Sequence, residues 1–149
     1  MRRFILGLVS VAILSSSAVG QCVLKRQYPG SGPAPKSYCW DVNQITSAIY
    51  QQQFGGNATE IVNTKMTTTS NHGGGFITVA VDMFGYGNKP NVQMNYKNFV
   101  LTKTQNIINQ YKIIVGTRYW FEGTDTKNLE SGTLYVKDYS TIKDQLYVK

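Results

Sequence analysis

His72 is the only histidine in the 149-residue chain, and it sits in Ser70-Asn71-His72-Gly73-Gly74-Gly75 beside a total of just eight carboxylates. Acid–base catalysis needs two groups with separated pKa values next to a substrate. Few partners are therefore open to His72, and Glu60 and Glu122 are the two considered. A histidine on a glycine-rich turn can act as a mobile general base, but the commoner reading is an exposed turn residue, and that reading is preferred. Asn71–Gly75 is not a phosphate-binding loop, because it lacks the following Lys-Ser/Thr pair and opens a strand and not a helix. Nucleophilic chemistry is equally short of candidates. The two cysteines, Cys22 and Cys39, are expected to be oxidised, which removes a thiolate. With one histidine and no CxxC pair, no metal site is expected.

Recognition chemistry is better represented. Arg118-Tyr119-Trp120 places a guanidinium beside aromatic rings, a combination that stacks on bases or anchors a protein interface. Side chains alternate along a strand, so Arg118 and Trp120 share one face while Tyr119 and Phe121 share the other. The competing reading, which is preferred, puts Tyr119 and Phe121 in the core and Trp120 in the cover under the helix.

The N-terminus decides where any of this operates. Met1-Arg2-Arg3 is basic, Phe4–Leu14 is apolar, and Ser15–Gly20 is a small-residue exit. This is the pattern of a secretory signal peptide cleaved near Gly20, and the apolar run is too short to span a membrane. The expected organisation is a signal over residues 1–20 and a single secreted domain over 21–149. Without Arg2 and Arg3, thirteen basic and eight acidic residues remain, a net charge of +5. That charge permits RNA, anionic glycans or a membrane surface as partners without selecting one. In an oxidising compartment Cys22 and Cys39 should pair and staple the N-terminal arm, contributing on the order of 3 kcal/mol in the chain-entropy view. Asn57-Ala58-Thr59 is a glycosylation sequon. Lys25-Arg26 reads as an exposed strand end more than a processing site.

The elements that must position these residues follow from periodicity. Asp41 is a plausible N-cap, with Val42, Ile45, Ala48 and Ile49 at helical spacing, which predicts one helix over Asp41–Gln53 ended by Gly55-Gly56. From Glu60 on the period is two. Strands are predicted over Ile61–Thr69, Phe76–Phe84, Val92–Thr102, Thr133–Val136 and Leu146–Val148. Tyr111–Gly123 is read as a central hairpin bent at Gly116-Thr117. The expected fold is α+β, one helix packed on a four- to five-stranded antiparallel sheet.

Three stretches carry a family resemblance. Tyr38-Cys39-Trp40-Asp41-Val42 leading to Ile45 and Ala48, Gly75-Phe76-Ile77-Thr78-Val79, and Lys112-Ile113-Ile114-Val115 with Phe121 and Gly123 resemble the helix entry, a central strand and a hairpin of fungal guanyl-specific ribonucleases and of the ribonuclease-like secreted effectors of powdery mildews. Asn95–Leu101 resembles the strand bearing the family's catalytic glutamate. The resemblance implies a microbial ribonuclease-like fold whose catalytic residues are lost: Lys97 stands at the glutamate position, Lys112 at the arginine, Thr68 and Lys127 near the two histidines. A second resemblance is to cystatins, through Lys112-Ile113-Ile114-Val115-Gly116 and Leu134–Tyr139.

The resulting expectation is a secreted, non-catalytic effector or virulence protein of a fungal pathogen. It would bind a host protein, a plant immune receptor among them, or RNA, through Lys97, Lys112, Arg118, Tyr119 and Trp120. It would be a monomer with no cofactor, metal or membrane partner. The alternatives are a cystatin-like inhibitor of cysteine proteases and, third, an active secreted ribonuclease using His72 with Glu60 or Glu122.

Overall fold

The computed structural model describes residues 31–32, 36–37, 39–47, 59–63, 65–72, 76–123 and 130–149. Those residues form strands and turns and contain no helix. The strands are β1 (Cys39–Ser47), β2 (Glu60–Ile61), β3 (Ile77–Phe84), β4 (Asn91–Met94), β5 (Lys97–Ile108), β6 (Ile114–Gly123), β7 (Gly132–Asp138) and β8 (Thr141–Val148). They make one antiparallel sheet in the order β2-β1-β3-β6-β5-β4-β7-β8, curled into a half-barrel. The expected α+β, ribonuclease-like arrangement is therefore corrected to an all-β fold.

The correction has a physical origin in β1. Trp40, Val42 and Ile45 all face the core. A bulge lies between Val42 and Gln44, because Val42 pairs with Val81 and Gln44 with Ala80. The extra residue, Asn43, stretches the inward spacing from two to three. Val42 and Ile45 thus look helical in sequence while lying on a strand. Asp41, expected as a helix cap, pairs with Asp82 in the sheet. Residues 48–53 of the expected helix lie outside the described residues, as do the signal segment, Cys22, Lys25-Arg26, Asn57 and Lys127.

Alternation drives the rest. Ile77, Val79, Val81 and Met83 of β3 point inward against Tyr119 and Phe121 of β6, Leu134 and Val136 of β7, and Leu146 and Val148 of β8. The β-branched and aromatic residues suit a pleated surface buried on one side, and each fully buried large side chain stabilises the fold by about 1.5–3 kcal/mol. A smaller cluster of Phe84 and Val115 packs with Cys39, Ile107 and Ile113.

Three further expectations change. Tyr111–Gly123 is not a hairpin: Ile114–Gly123 is one continuous strand, and the reversal precedes it at Asn109–Lys112. Gly116 does not bend that strand. A Cβ there would sit 2.2 Å from the Met83 carbonyl oxygen, so glycine lets β3 and β6 approach. Val92–Thr102 is not one strand either, because Asn95 and Tyr96 (φ 50° and 62°) reverse the chain between β4 and β5. Two positive φ values are the signature of a type I′ turn. The strand expected over Ile61–Thr69 is reduced to the end of β2.

The two edges of the sheet meet. Residues 65–72 strap β2 to β8: Thr67 bridges Tyr147, Thr68 N–H donates to the Tyr147 carbonyl at 2.9 Å, and Tyr147 N–H donates to that of Met66 at 2.9 Å. His72 N–H donates to the Lys149 carbonyl at 2.5 Å.

Candidate functional site

The strap brings together a histidine, a carboxylate and a hydroxyl. Ser47 ends β1, Glu60 begins β2 opposite Ile45, and His72 ends the strap. His72 Nδ1 lies 2.9 Å from Ser47 Oγ and its Nε2 lies 2.6 Å from Glu60 Oε2. Glu60 also accepts Thr69 N–H at 2.5 Å and Ser70 N–H at 3.3 Å, with Lys65 Nζ at 3.5 Å. Burial tends to raise the Glu60 pKa, yet the hydrogen bonds from His72 and from the Thr69 and Ser70 amides hold it below its ordinary 4.5. An ionised Glu60 can only accept, so Nε2 carries a proton, and in the neutral ring Nδ1 accepts from the serine hydroxyl.

The order hydroxyl–imidazole–carboxylate is that of a nucleophilic relay. Its exposure is not: Ser47, Glu60 and His72 are 2%, 4% and 0% accessible. A nucleophile must face a substrate, and this one faces the interior of the seam. The relay instead ties the end of β1, the start of β2 and the strap into one hydrogen-bonded unit. His72 is therefore not the exposed turn residue that its sequence suggests, and of the two carboxylates considered with it Glu60 is the one it meets. Glu122, the other carboxylate considered with it, lies exposed on β6.

A second buried acid closes the other end of the seam. β2 pairs only with Gln44 and Ile45, so on the side of β1 away from β3 Val42 has no strand partner among the described residues. Asp144 of β8 supplies one, its Oδ2 accepting Val42 N–H at 2.7 Å and its Oδ1 accepting Gln145 N–H at 2.8 Å. Burial raises its pKa from 3.8 to about 6, offset in part by these bonds and by a side-chain hydrogen bond with Asp41.

Recognition residues gather on the outer face of β5 and β6. Arg118 lies opposite Asp82 and donates Nε to Oδ1 at 2.6 Å and Nη2 to Oδ2 at 2.9 Å. Those bonds to Asp82 raise the guanidinium pKa despite partial burial. Trp120, two residues on, has Arg118 Cζ 5.9 Å and Lys103 Nζ 4.7 Å from its ring centre. Lys103 belongs here because β5 pairs it with Trp120. Sequence reasoning missed it by ending the strand at Thr102; counting back from the Asn109 turn would still have set Lys103 opposite Tyr119, because the register shifts by one between Ile107 and Ile108.

Of the five residues expected on the surface, Arg118 and Trp120 come together. Tyr119 is in the core with Phe121, ring centres 6.3 Å apart. Lys97 opens β5 and Lys112 lies in the turn beyond its other end. At about 3.3 Å per residue a twelve-residue strand places them roughly 35 Å apart, so they cannot share a ribonuclease-like phosphate site. Cys39 is disulfide-bonded, and Cys22 is the only other cysteine in the sequence. No group of three metal-ligating side chains occurs among the described residues. A cleft of about 380 Å³ opens where β4 and β5 part, lined by Asn91, Val92, Gln93, Asn98, Phe99, Lys137 and Tyr139. It offers amides and a cation but no carboxylate or imidazole for acid–base work.

The fold and site together define a small all-β module with a buried polar seam and a partly exposed aromatic–cationic face. The chain belongs to the family described as Domain of unknown function (DUF4879), whose model matches residues 32–148. No curated protein and no solved structure matches it.

Proposed function

We propose that the chain is a secreted, non-catalytic binding protein that engages a protein partner through the outer face of β5 and β6. The observation that carries this reading is Trp120, partly exposed on that face with Lys103 and Arg118 beside its ring. A rigid indole on a strand with adjacent cations is the composition of an interface anchor. Asp82 fixes Arg118 before any partner arrives, which lowers the ordering cost of binding. The burial of the Ser47–His72–Glu60 relay favours binding over catalysis. Secretion rests on the N-terminal pattern and on the disulfide-bonded Cys39.

Panning a random dodecapeptide phage library on the full-length protein tests the reading. Enriched peptides that bind the wild type and lose at least about tenfold in affinity on Trp120→Ala are expected. No enrichment, or peptides indifferent to Trp120→Ala, contradicts it. A single-stranded oligouridylate is the control. Salt-sensitive binding of that RNA, lost in Trp120→Ala, would replace a protein partner with nucleic acid.

A further inference from the structure

Among the described residues, strand β5 has an open edge. Only Lys97 and Asn98 pair with β4, while from Phe99 to Ile108 the strand pairs with β6 alone. No backbone partner meets its other side among the described residues. Residues 102–106 are exposed in unbroken succession, so both faces of the strand reach solvent there. Val100 and Ile108, at 50% and 58% exposure, flank the stretch. Register shifts between Leu101 and Lys103 and between Ile107 and Ile108 bound a regular run over 103–107.

A row of unpaired N–H and C=O groups is a template for another strand. The side chains around it have a definite polarity. β5 carries Lys97 and Lys103 and no carboxylate. A cavity of about 170 Å³ lies over the β5–β6 pair, lined by Gln105, Asn106, Ile107 and Arg118, with Gln105 between the open edge and Arg118. Arg118 uses Nε and Nη2 on Asp82, which leaves Nη1 for another acceptor.

We infer that an extended acidic peptide from a protein partner adds to the 103–107 edge of β5 as a ninth strand, with a carboxylate side chain entering the Gln105–Arg118 cavity. Main-chain bonding supplies affinity and the cavity supplies specificity, the usual division in strand addition. A second copy of the chain is a poor occupant: without Arg2 and Arg3 the net charge is still +5, and a central lysine and bulges are the devices that discourage self-pairing of edges. The inference rests on the reading of this face as a protein-binding surface and adds the mode and chemistry of the partner.

The library-selected peptides test it. They should alternate acidic with β-branched residues, and their binding should slow amide exchange at residues 103–107. Two N-methylated versions of one peptide, modified at alternate residues, should differ. The set whose N–H groups point toward β5 should lose at least about tenfold in affinity, and the other set should bind normally. Trp120-dependent peptides that leave β5 exchange unchanged, or tolerate both methylation patterns, overturn the inference and spare the binding face. Absence of any Trp120-dependent peptide overturns both. Concentration-dependent dimerisation that itself protects 103–107 overturns it in favour of a second copy.

Discussion

Lys103 and Trp120 stand opposite each other on β5 and β6, and the ammonium lies 4.7 Å from the centre of the indole ring. A turn built on Asn109 makes the pairing possible. Its Oδ1 accepts the N–H groups of Tyr111 at 2.9 Å and Ile113 at 3.1 Å, and Lys112 takes a positive φ of 61°. The turn reverses the chain, and a register shift between Ile107 and Ile108 then sets the pairing that assembles the face.

Arg118 is pinned by a carboxylate that is 1% exposed, so the pair is structural as well as functional. Arg118→Ala leaves Asp82 buried without this partner and should destabilise the protein by about 1–3 kcal/mol, given that the guanidinium is partly solvated. Urea unfolding with unchanged m-value checks this. Trp120→Ala, which truncates a partly buried ring, should cost about 1–3 kcal/mol and leave the protein folded while removing peptide binding.

The relay should behave as a fastener. His72→Ala removes the bonds to Ser47 and Glu60 and should cost about 2–4 kcal/mol, with faster amide exchange at Thr68 and Tyr147, where the strap holds β8. A fluorophosphonate probe should leave Ser47 unlabelled in the native protein. Labelling of Ser47 would make the relay a nucleophile.

The two ends of the seam respond to pH in opposite senses. Burial raises the Asp144 carboxyl above its ordinary 3.8 to about 6. The folded protein retains a proton there that the unfolded chain releases, so this group's contribution is greatest in acid and is lost as pH rises through about 6. Glu60 is held below 4.5, so its contribution is present above that value and lost as pH falls through its lower folded pKa. Asp144→Asn should therefore look more favourable relative to wild type at pH 7 than at pH 4, by on the order of 2–3 kcal/mol. Denaturation midpoints of both proteins at the two pH values check it, and a pH-independent difference would rule it out.

Tyr96 occupies a left-handed turn position and is 98% exposed, so its side chain contributes almost no burial. Tyr96→Gly should stabilise the protein by about 1 kcal/mol, read as a rise in melting temperature.

The period-two core of β3 and the opposite orientations of Arg118–Trp120 and Tyr119–Phe121 were legible in the sequence because alternation is local. The helix was misread because the Asn43 bulge converts strand spacing into helical spacing between Val42 and Ile45. The β4–β5 hairpin was hidden because Asn95-Tyr96 adopts a turn usually announced by Asn-Gly. The relay could not be seen at all. Ser47 lay inside the expected helix, and its meeting with Glu60 and His72 depends on a strap that closes the sheet edge to edge. Lys103 was lost with the end of β5.

The most direct test of the binding face uses Trp120 itself. The other tryptophan, Trp40, is 3% exposed in the core, and Trp40→Phe leaves Trp120 as the sole reporter. Binding of a library-selected peptide should reduce acrylamide quenching of Trp120 emission, because the indole becomes covered. Quenching that stays unchanged at saturating peptide would show that the partner lies elsewhere and would contradict the account.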